Sequence, residues 1–122
     1  MQFVEEHYED VYPVQSYETG LLRVADMSFT SSVVLVLGQK PLLVDLSSMA
    51  ALNAEVINPL LSHHPEVLLI GSEEGLAFLP PAVFKTLGAY QVGIEVMNTG
   101  AACRTYNVLL AEKRRVIALF IL

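Results

Sequence analysis

The sequence has a single cysteine, no tryptophan and few basic residues. One cysteine excludes an intrachain disulfide, and it excludes a zinc site built on several cysteines of one subunit. Seven Lys and Arg residues stand against 13 Asp and Glu residues, which gives an acidic protein with a formal net charge of −6 at pH 7. Because nucleic-acid binding rests largely on clustered Lys and Arg, this balance argues against nucleic acid as a partner.

Long apolar runs are also missing, since none approaches the ~18 residues that a membrane-spanning helix needs. The stretch Met1–Glu6 has neither the basic start of a secretory signal nor the arginine-rich pattern of a mitochondrial presequence. No Walker loop, Rossmann glycine fingerprint or nucleophile elbow occurs. We therefore expect a bacterial cytoplasmic protein without membrane insertion, cofactor or recognisable enzyme motif.

Apolar side chains are present in excess. Of the 122 residues, 53% are hydrophobic, and the mean hydropathy is +0.49. A chain of this length fits one domain over residues 1–122 and hides roughly two-thirds of its unfolded surface. The apolar excess is more than a small monomer easily buries, so we expect self-association, with a homodimer as the simplest form.

The first third of the chain reads as an arm followed by short strands. Residues 1–16 place acidic and aromatic side chains around Pro13 without a regular pattern, which predicts an irregular arm. Strands are predicted at Leu21–Val24 and Ser31–Leu37, and we expect these two to pair as a hairpin. A further short strand is predicted at 42–44.

A surface helix is predicted next, over Met49–His63, with caps from Asp45–Ser48 and a bend or break near Pro59. Val67–Ile70 is apolar throughout, which is typical of a central strand covered on both faces. Glu73 and Glu74 in the loop after that strand would hold a cation or repel a phosphate, or they are simply solvated.

The rest of the chain alternates helices and strands. A helix is predicted over Pro81–Leu87 with Gly88 as its stop, and strands are predicted at Val92–Met97 and Val116–Leu122. This alternation builds a partly parallel sheet with right-handed crossovers. The predicted fold is therefore α/β (α+β): a layered domain around a central mixed sheet, with a β-meander N-terminal half and a βαβαβ C-terminal half.

The last predicted helix carries the most informative pattern. Thr99 is expected to be the N-cap of a helix from about Gly100 to about Lys113, with Lys113 and Arg114 where the helix dipole favours cations. The helix is apolar on two sides, so we expect it to be covered twice, by a second layer of its own domain or by another subunit. One side carries Ala102, Tyr106, Leu109 and Leu110, and the other carries Ala101, Val108 and Ala111.

This segment resembles the signature of a family of small α/β proteins without an assigned activity, whose animal members include an assembly factor for mitochondrial respiratory complex I. The resemblance implies an α/β fold and assistance to other proteins. It implies no ligand, and Gly71–Gly75 departs from the Gly-Thr-Gly that is typical of the family. The matching residues are Met97-x-Thr99-x-Ala101-Ala102-Cys103-Arg104-Thr105-Tyr106-Asn107-Val108-Leu109, Glu112 and Arg114-Arg115-Val116-x-Ala118.

A candidate ligand site lies where two predicted neighbouring strands end. Ligands collect beyond the carboxyl ends of strands in open α/β sheets, and free amides at a helix N-terminus favour anions. The alternative is that Thr99 only caps the helix and that Arg104 pairs with Glu95. The residues of the candidate site are Gly71, Ser72, Asn98, Thr99, Gly100 and Arg104.

Other residues of the motif are assigned structural roles: Tyr106, Asn107, Glu112 and Arg115. We expect Asn107 to be largely buried and to bond backbone at a loop or strand end, because buried polar groups need partners.

Cys103 is a core residue or, because a helix N-terminus and Arg104 both favour thiolate, a nucleophile. His63 and His64 lack further grouped ligands, so no metal site is expected.

Two functions remain open from the sequence. The first is a non-enzymatic interaction or assembly-type factor, because the apolar excess comes without a catalytic set. The second is a small protein or enzyme that binds an anionic ligand at the start of the 99–113 helix.

Overall fold

The fold is built from short strands that form two sheets and from helices that cover the larger sheet. A computed structural model describes residues 11–74 and 79–122. The strands are β1 Val14–Glu18, β2 Leu21–Val24, β3 Met27–Phe29, β4 Val33–Val36, β5 Leu42–Leu43, β6 Val67–Gly71, β7 Gly93–Met97 and β8 Val116–Phe120; the helices are α1 Ala54–Leu61, α2 Pro81–Ala89 and α3 Thr99–Ala111.

The larger sheet has the order β5-β4-β8-β6-β7. Strand β6 is parallel to β7 and to β8, whereas β4 is antiparallel to β8 and to β5. Every residue of β6 and β8 is buried, which confirms that these two apolar runs are central strands. The predicted α/β class with a βαβαβ C-terminal half around a mixed sheet is confirmed.

The smaller sheet is an antiparallel meander of β1, β2 and β3. The predicted hairpin between 21–24 and 31–37 is wrong, because β2 pairs with β1 and β3 while β4 joins the larger sheet. Two-residue turns decide the pairing: Gly20 and Ala25 adopt positive φ values of 80° and 55°, which suit tight hairpins.

The predicted irregular arm is wrong where strand β1 begins. Val14–Glu18 forms that strand and pairs with β2, so residues 14–16 of the expected arm have regular structure. The pattern around Pro13 did not reveal this strand. Its partner is β2, which the sequence analysis had paired with 31–37 instead. Residues 1–10 of the expected arm lie outside the described residues.

Buried side chains form two clusters, one on each face of the larger sheet. Helices α1 and α2 cover one face, where Leu68, Ile70 and Leu119 join their apolar residues. Helix α3 and the small sheet cover the other face, where Tyr106 packs edge-on against Phe120 with 6.5 Å between ring centroids. The α3 helix therefore docks on the strands whose ends form the candidate site.

The helix predicted over 49–63 is divided at residues 52–53 and not at Pro59. Met49–Ala51 forms a single 3₁₀ turn, and Asn53 then adopts an extended conformation and caps α1 by accepting a hydrogen bond from Val56 N–H at 3.2 Å. Pro59 lies inside α1, and Ser48 makes no side-chain cap. A capping asparagine therefore determines the helix start.

Helix α2 does not stop at Gly88 as predicted, since it continues to Ala89. Gln91 adopts the left-handed conformation with φ of 59°, and Val92 N–H donates to Leu87 C=O at 2.9 Å. This six-to-one hydrogen bond is the usual closure of a helix C-terminus.

Helix α3 ends in the same way, with Lys113 at φ of 60° and a hydrogen bond from Arg114 N–H to Leu109 C=O at 3.0 Å. Lys113 and Arg114 therefore lie just after the helix rather than in its last turn. Among the described residues, no second layer of the domain covers the outer side of α3, since Val108 there is 55% exposed. Cover of that side by another subunit stays a prediction.

Candidate functional site

The predicted site residues come together beyond the carboxyl ends of β6 and β7 in the larger sheet. Strands β6 and β7 are parallel neighbours with Gly71 opposite Met97, so the segments that follow them start side by side. Ser72 N–H donates to Met97 C=O at 3.0 Å and extends the pairing by one step. The carboxyl ends of these strands thus bring Ser72 next to the start of α3.

The N-cap of α3 is Asn98 and not Thr99. The backbone of Asn98 is extended, and its Oδ1 accepts a hydrogen bond from Ala101 N–H at 2.8 Å. Asparagine is among the best N-cap residues, and its carboxamide reaches the first-turn amide that we had assigned to threonine. Thr99 becomes the first helical residue, and it is 0% exposed.

Glu73 supplies an anion to this helix from within the chain. Its Oε2 accepts a hydrogen bond from Thr99 N–H at 3.0 Å, and a carboxylate at this position also interacts favourably with the helix dipole. The neighbouring Glu74 carboxylate accepts from Met49 N–H, while Glu74 N–H donates to Ser72 Oγ at 3.0 Å. The two glutamates, for which the sequence leaves open solvation, cation binding or repulsion of a phosphate, therefore fasten the 72–74 loop.

Thr99 Oγ1 is buried and has no hydrogen-bond partner among residues 11–74 and 79–122. Gly71, below it, is required by packing: a Cβ there would lie 2.8 Å from Ala102 Cβ and 3.0 Å from Phe120 Cδ1. The glycine thus lets α3 approach β6 and β8 closely.

Arg104 lies one turn into α3 and is exposed. Its Nη1 would be 3.7 Å from a Cβ on Gly100, so the guanidinium lies over the start of the helix. The expected ion pair with Glu95 is not formed, and the salt bridges among residues 11–74 and 79–122 leave Arg104 without a carboxylate partner. The Arg104 guanidinium, unpaired among the described residues, is therefore available to an anion.

Asn107 makes the backbone contacts that we predicted. Its Nδ2 donates to Val14 C=O at 2.8 Å, and its Oδ1 accepts from Val14 N–H at 2.9 Å. The side chain is half-buried rather than largely buried, and it holds the start of β1 against α3. The sequence predicted that the Asn107 side chain bonds backbone, but it could not identify β1 as the partner, because Val14 is 93 residues away.

The other motif residues also have structural contacts. Burial raises the pKa of Tyr106 to about 12, consistent with its ring in the core. Arg115 Nε donates to His64 C=O at 2.8 Å, and Glu112 lies 3.8 Å from the guanidinium of Arg114. None of these residues faces the start of α3.

The reactive alternatives receive little support from the geometry. Cys103 is buried, and burial raises the pKa of its thiol to about 11 despite the nearby charge of Arg104. A protonated thiol is a poor nucleophile. Across the described stretches, no group of three or more His, Cys, Asp or Glu side chains could hold a metal ion.

A shallow cleft that the sequence did not predict lies at the other end of the same strands, beside the amino ends of β6, β7 and β8. Its volume is about 330 Å³, and the left-handed residues His64 and Gln91 at two helix ends contribute to it. No sequence motif marks this cleft, because it forms between the ends of two helices that come together only in the folded protein. The lining residues are Leu61, His64, Pro65, Glu66, Tyr90, Gln91, Val92 and Arg115.

Comparison with known proteins identifies the family. Residues 14–121 match the family model described as "Protein of unknown function (DUF498/DUF598)". The chain belongs to the DUF498/DUF598 family. An uncharacterised relative in Rhodobacter capsulatus is 30% identical over 112 residues, which cover 92% of this chain and 86% of the relative.

The chain is also similar to two proteins with descriptive names. The crystal structure of an outer membrane protein from Bartonella henselae has a TM-score of 0.79 at 36% identity, covering 90% of this chain and 93% of that one. NADH dehydrogenase 1 alpha subcomplex assembly factor 3 from Xenopus tropicalis is 34% identical over 55 residues, 45% of this chain and 30% of that protein. The expected resemblance to a complex I assembly factor is thus confirmed. Within the residues that the structure describes, no helix has the length and apolar character to cross a membrane.

Proposed function

We propose that this DUF498/DUF598 protein acts by binding other proteins, as a non-enzymatic interaction or assembly-type factor. The observation that carries the proposal is the apolar edge strand β5 of the larger sheet. Within the part of the chain that the structure describes, strand β5 is the last strand of that sheet and pairs only with β4. Its outward backbone groups are therefore available to another chain, as in recognition by strand addition.

Exposed leucines accompany this edge. Leu42 and Leu43 of β5 are 50% and 70% exposed, and Leu37, at the end of β4, is 45% exposed. We call Leu37, Leu42 and Leu43 the β5 edge patch. Leu42 and Leu43 are successive strand residues and therefore point to opposite faces of the sheet, so they flank the edge on both sides. Scattered apolar residues on a surface are ordinary, but several beside an unpaired strand edge are typical of an interaction site. The patch explains part of the apolar excess in the sequence.

Charge and relatives favour a protein partner. A net charge of −6 disfavours the phosphate backbone of nucleic acids. The relative in Xenopus tropicalis is an assembly factor, and the raised pKa of the Cys103 thiol disfavours nucleophilic catalysis. A cytoplasmic location and association into a homodimer belong to the same proposal.

The test changes Leu43 to Lys, which places a charge on the β5 edge patch. The matched control is Val108→Lys, which places the same charge on an apolar residue that is 55% exposed on α3. Self-association is measured by light scattering, and partner capture by pull-down from the native extract with quantitative mass spectrometry. We expect Leu43→Lys to lose self-association or a specific partner, while Val108→Lys keeps both. A wild-type protein that is monomeric at high concentration and recovers no partner refutes the proposal.

A further inference from the structure

The start of helix α3 has more hydrogen-bonding and charge capacity than the chain itself uses. Thr99 N–H is occupied by Glu73, whereas Thr99 Oγ1 and the Arg104 guanidinium have no partner among the described residues. We propose that this site binds the carboxylate group of a ligand, and that Glu73 is an internal occupant which the ligand displaces. This inference is independent of the β5 edge patch.

The unpartnered hydroxyl of Thr99 favours a ligand with two acceptor oxygens. The residue is 0% exposed, and its Oγ1 is a buried polar atom without a partner. A buried hydroxyl without a partner is unfavourable and calls for an explanation. Because N–H and Oγ1–H belong to the same residue, one carboxylate can accept from both, one bond to each oxygen. Glu73 accepts only from the N–H.

Arg104 supplies the charge. Its guanidinium lies over Gly100, where first-turn amides of the helix have no intrahelical acceptor. An anion there gains from the helix dipole and from a planar guanidinium fork that matches a carboxylate. Because Asn98 already caps Ala101 N–H, the amide of Thr99 is the one that a ligand would share with Glu73.

The local charge selects a carboxylate over a phosphate. Glu73 and Glu74 lie in the adjoining loop of a chain with a net charge of −6, and a second negative charge on the ligand would increase the repulsion. The present occupant of the Thr99 amide is itself a carboxylate. The shared chemistry is therefore a monoanionic carboxylate, from a small molecule or from an acidic side chain of a peptide.

Glu73 is suited to be displaced, while Glu74 is suited to hold the loop. Both glutamates are exposed. Among the described residues, the carboxylate of Glu73 accepts only from Thr99 N–H, whereas Glu74 bonds Met49 through its side chain and Ser72 through its amide. An internal occupant lowers the apparent affinity of a ligand by the fraction of time that the site is open. If the site is open about one-tenth of the time, removing Glu73 strengthens binding about tenfold.

The experiment titrates Glu73→Ala with acetate at constant ionic strength and follows the Thr99 amide in ¹H–¹⁵N spectra. The matched control is Glu74→Ala, which removes the same charge from the same loop and leaves the Thr99 acceptor in place. We expect about tenfold tighter binding in Glu73→Ala than in wild type, about twofold or less in Glu74→Ala, and loss of the gain when Thr99→Val is added. Glu73→Met, which keeps the length of the side chain but has no oxygen acceptor, repeats the test if Glu73→Ala does not fold.

Equal gains in Glu73→Ala and Glu74→Ala would show a general charge effect and overturn the inference, as would a Thr99 amide that does not respond. Tighter binding of inorganic phosphate than of acetate would overturn the choice of a carboxylate. N-acetylglutamate amide distinguishes the two sources: tighter binding than acetate identifies a peptide side chain, and equal binding identifies a small carboxylate. Leu43→Lys should leave the titration unchanged, so failure here is distinguishable from failure of the proposed function.

Discussion

The contact between Asn107 and Val14 permits a quantitative prediction for Asn107→Ala. The substitution removes two hydrogen bonds, of 2.8 and 2.9 Å, that tie the first residue of β1 to α3. Each such bond contributes about 0.5–1.5 kcal/mol net, and because the side chain is half-buried, water can replace part of the loss. We expect a decrease of about 1.5 kcal/mol in the free energy of unfolding.

For a domain of this size, that loss corresponds to a fall of about 5 to 9 °C in Tm, measured by circular dichroism. Amide hydrogen exchange should accelerate in β1, since the substitution releases this strand first. The control is Asn58→Ala, an exposed helical asparagine for which no side-chain hydrogen bond is found in the described structure; its Tm should stay the same or rise slightly. An Asn107→Ala protein that melts with the wild type refutes the structural role, and loss of a partner without loss of stability would make Asn107 a functional residue.

Two further predictions concern the packing of α3. Gly71→Ala should lower the free energy of unfolding by about 1–3 kcal/mol in urea denaturation, because its Cβ would lie 2.8 Å from that of Ala102. Gly88→Ala, where a Cβ meets nothing within 4 Å, should instead raise it by about 0.5–1 kcal/mol; equal effects of the two would contradict the packing argument. The Cys103 thiol, with its pKa raised by burial from 9.0 to about 11, should react with a disulfide reagent at pH 8 about a hundredfold more slowly than in urea. A native rate equal to the rate in urea would show an exposed, activated thiol.

Sequence patterns predicted the parts of the fold that depend on local burial. The runs in β6 and β8 carry no polar residue, so any fold must cover both of their faces. The pairing of β2 was missed because partner choice depends on turn closure, and the turns at Gly20 and Ala25 contain residues that do not by themselves mark a hairpin. The fold class thus follows from hydrophobic pattern, whereas strand partners require the positions of the turns.

At the candidate site, the difference between prediction and structure is one residue, and it changes the chemistry. Asn98 and Thr99 are adjacent residues of capping type, and side-chain direction alone decides which one caps α3. With Asn98 as the cap, the Thr99 hydroxyl is released from that role and is buried without a partner among the described residues, while the Thr99 amide donates a hydrogen bond to the carboxylate of Glu73, 26 residues away. No local pattern can show that contact. Thr99, which the sequence predicts to be an ordinary cap, is thereby the residue at which the proposed carboxylate ligand would compete with Glu73.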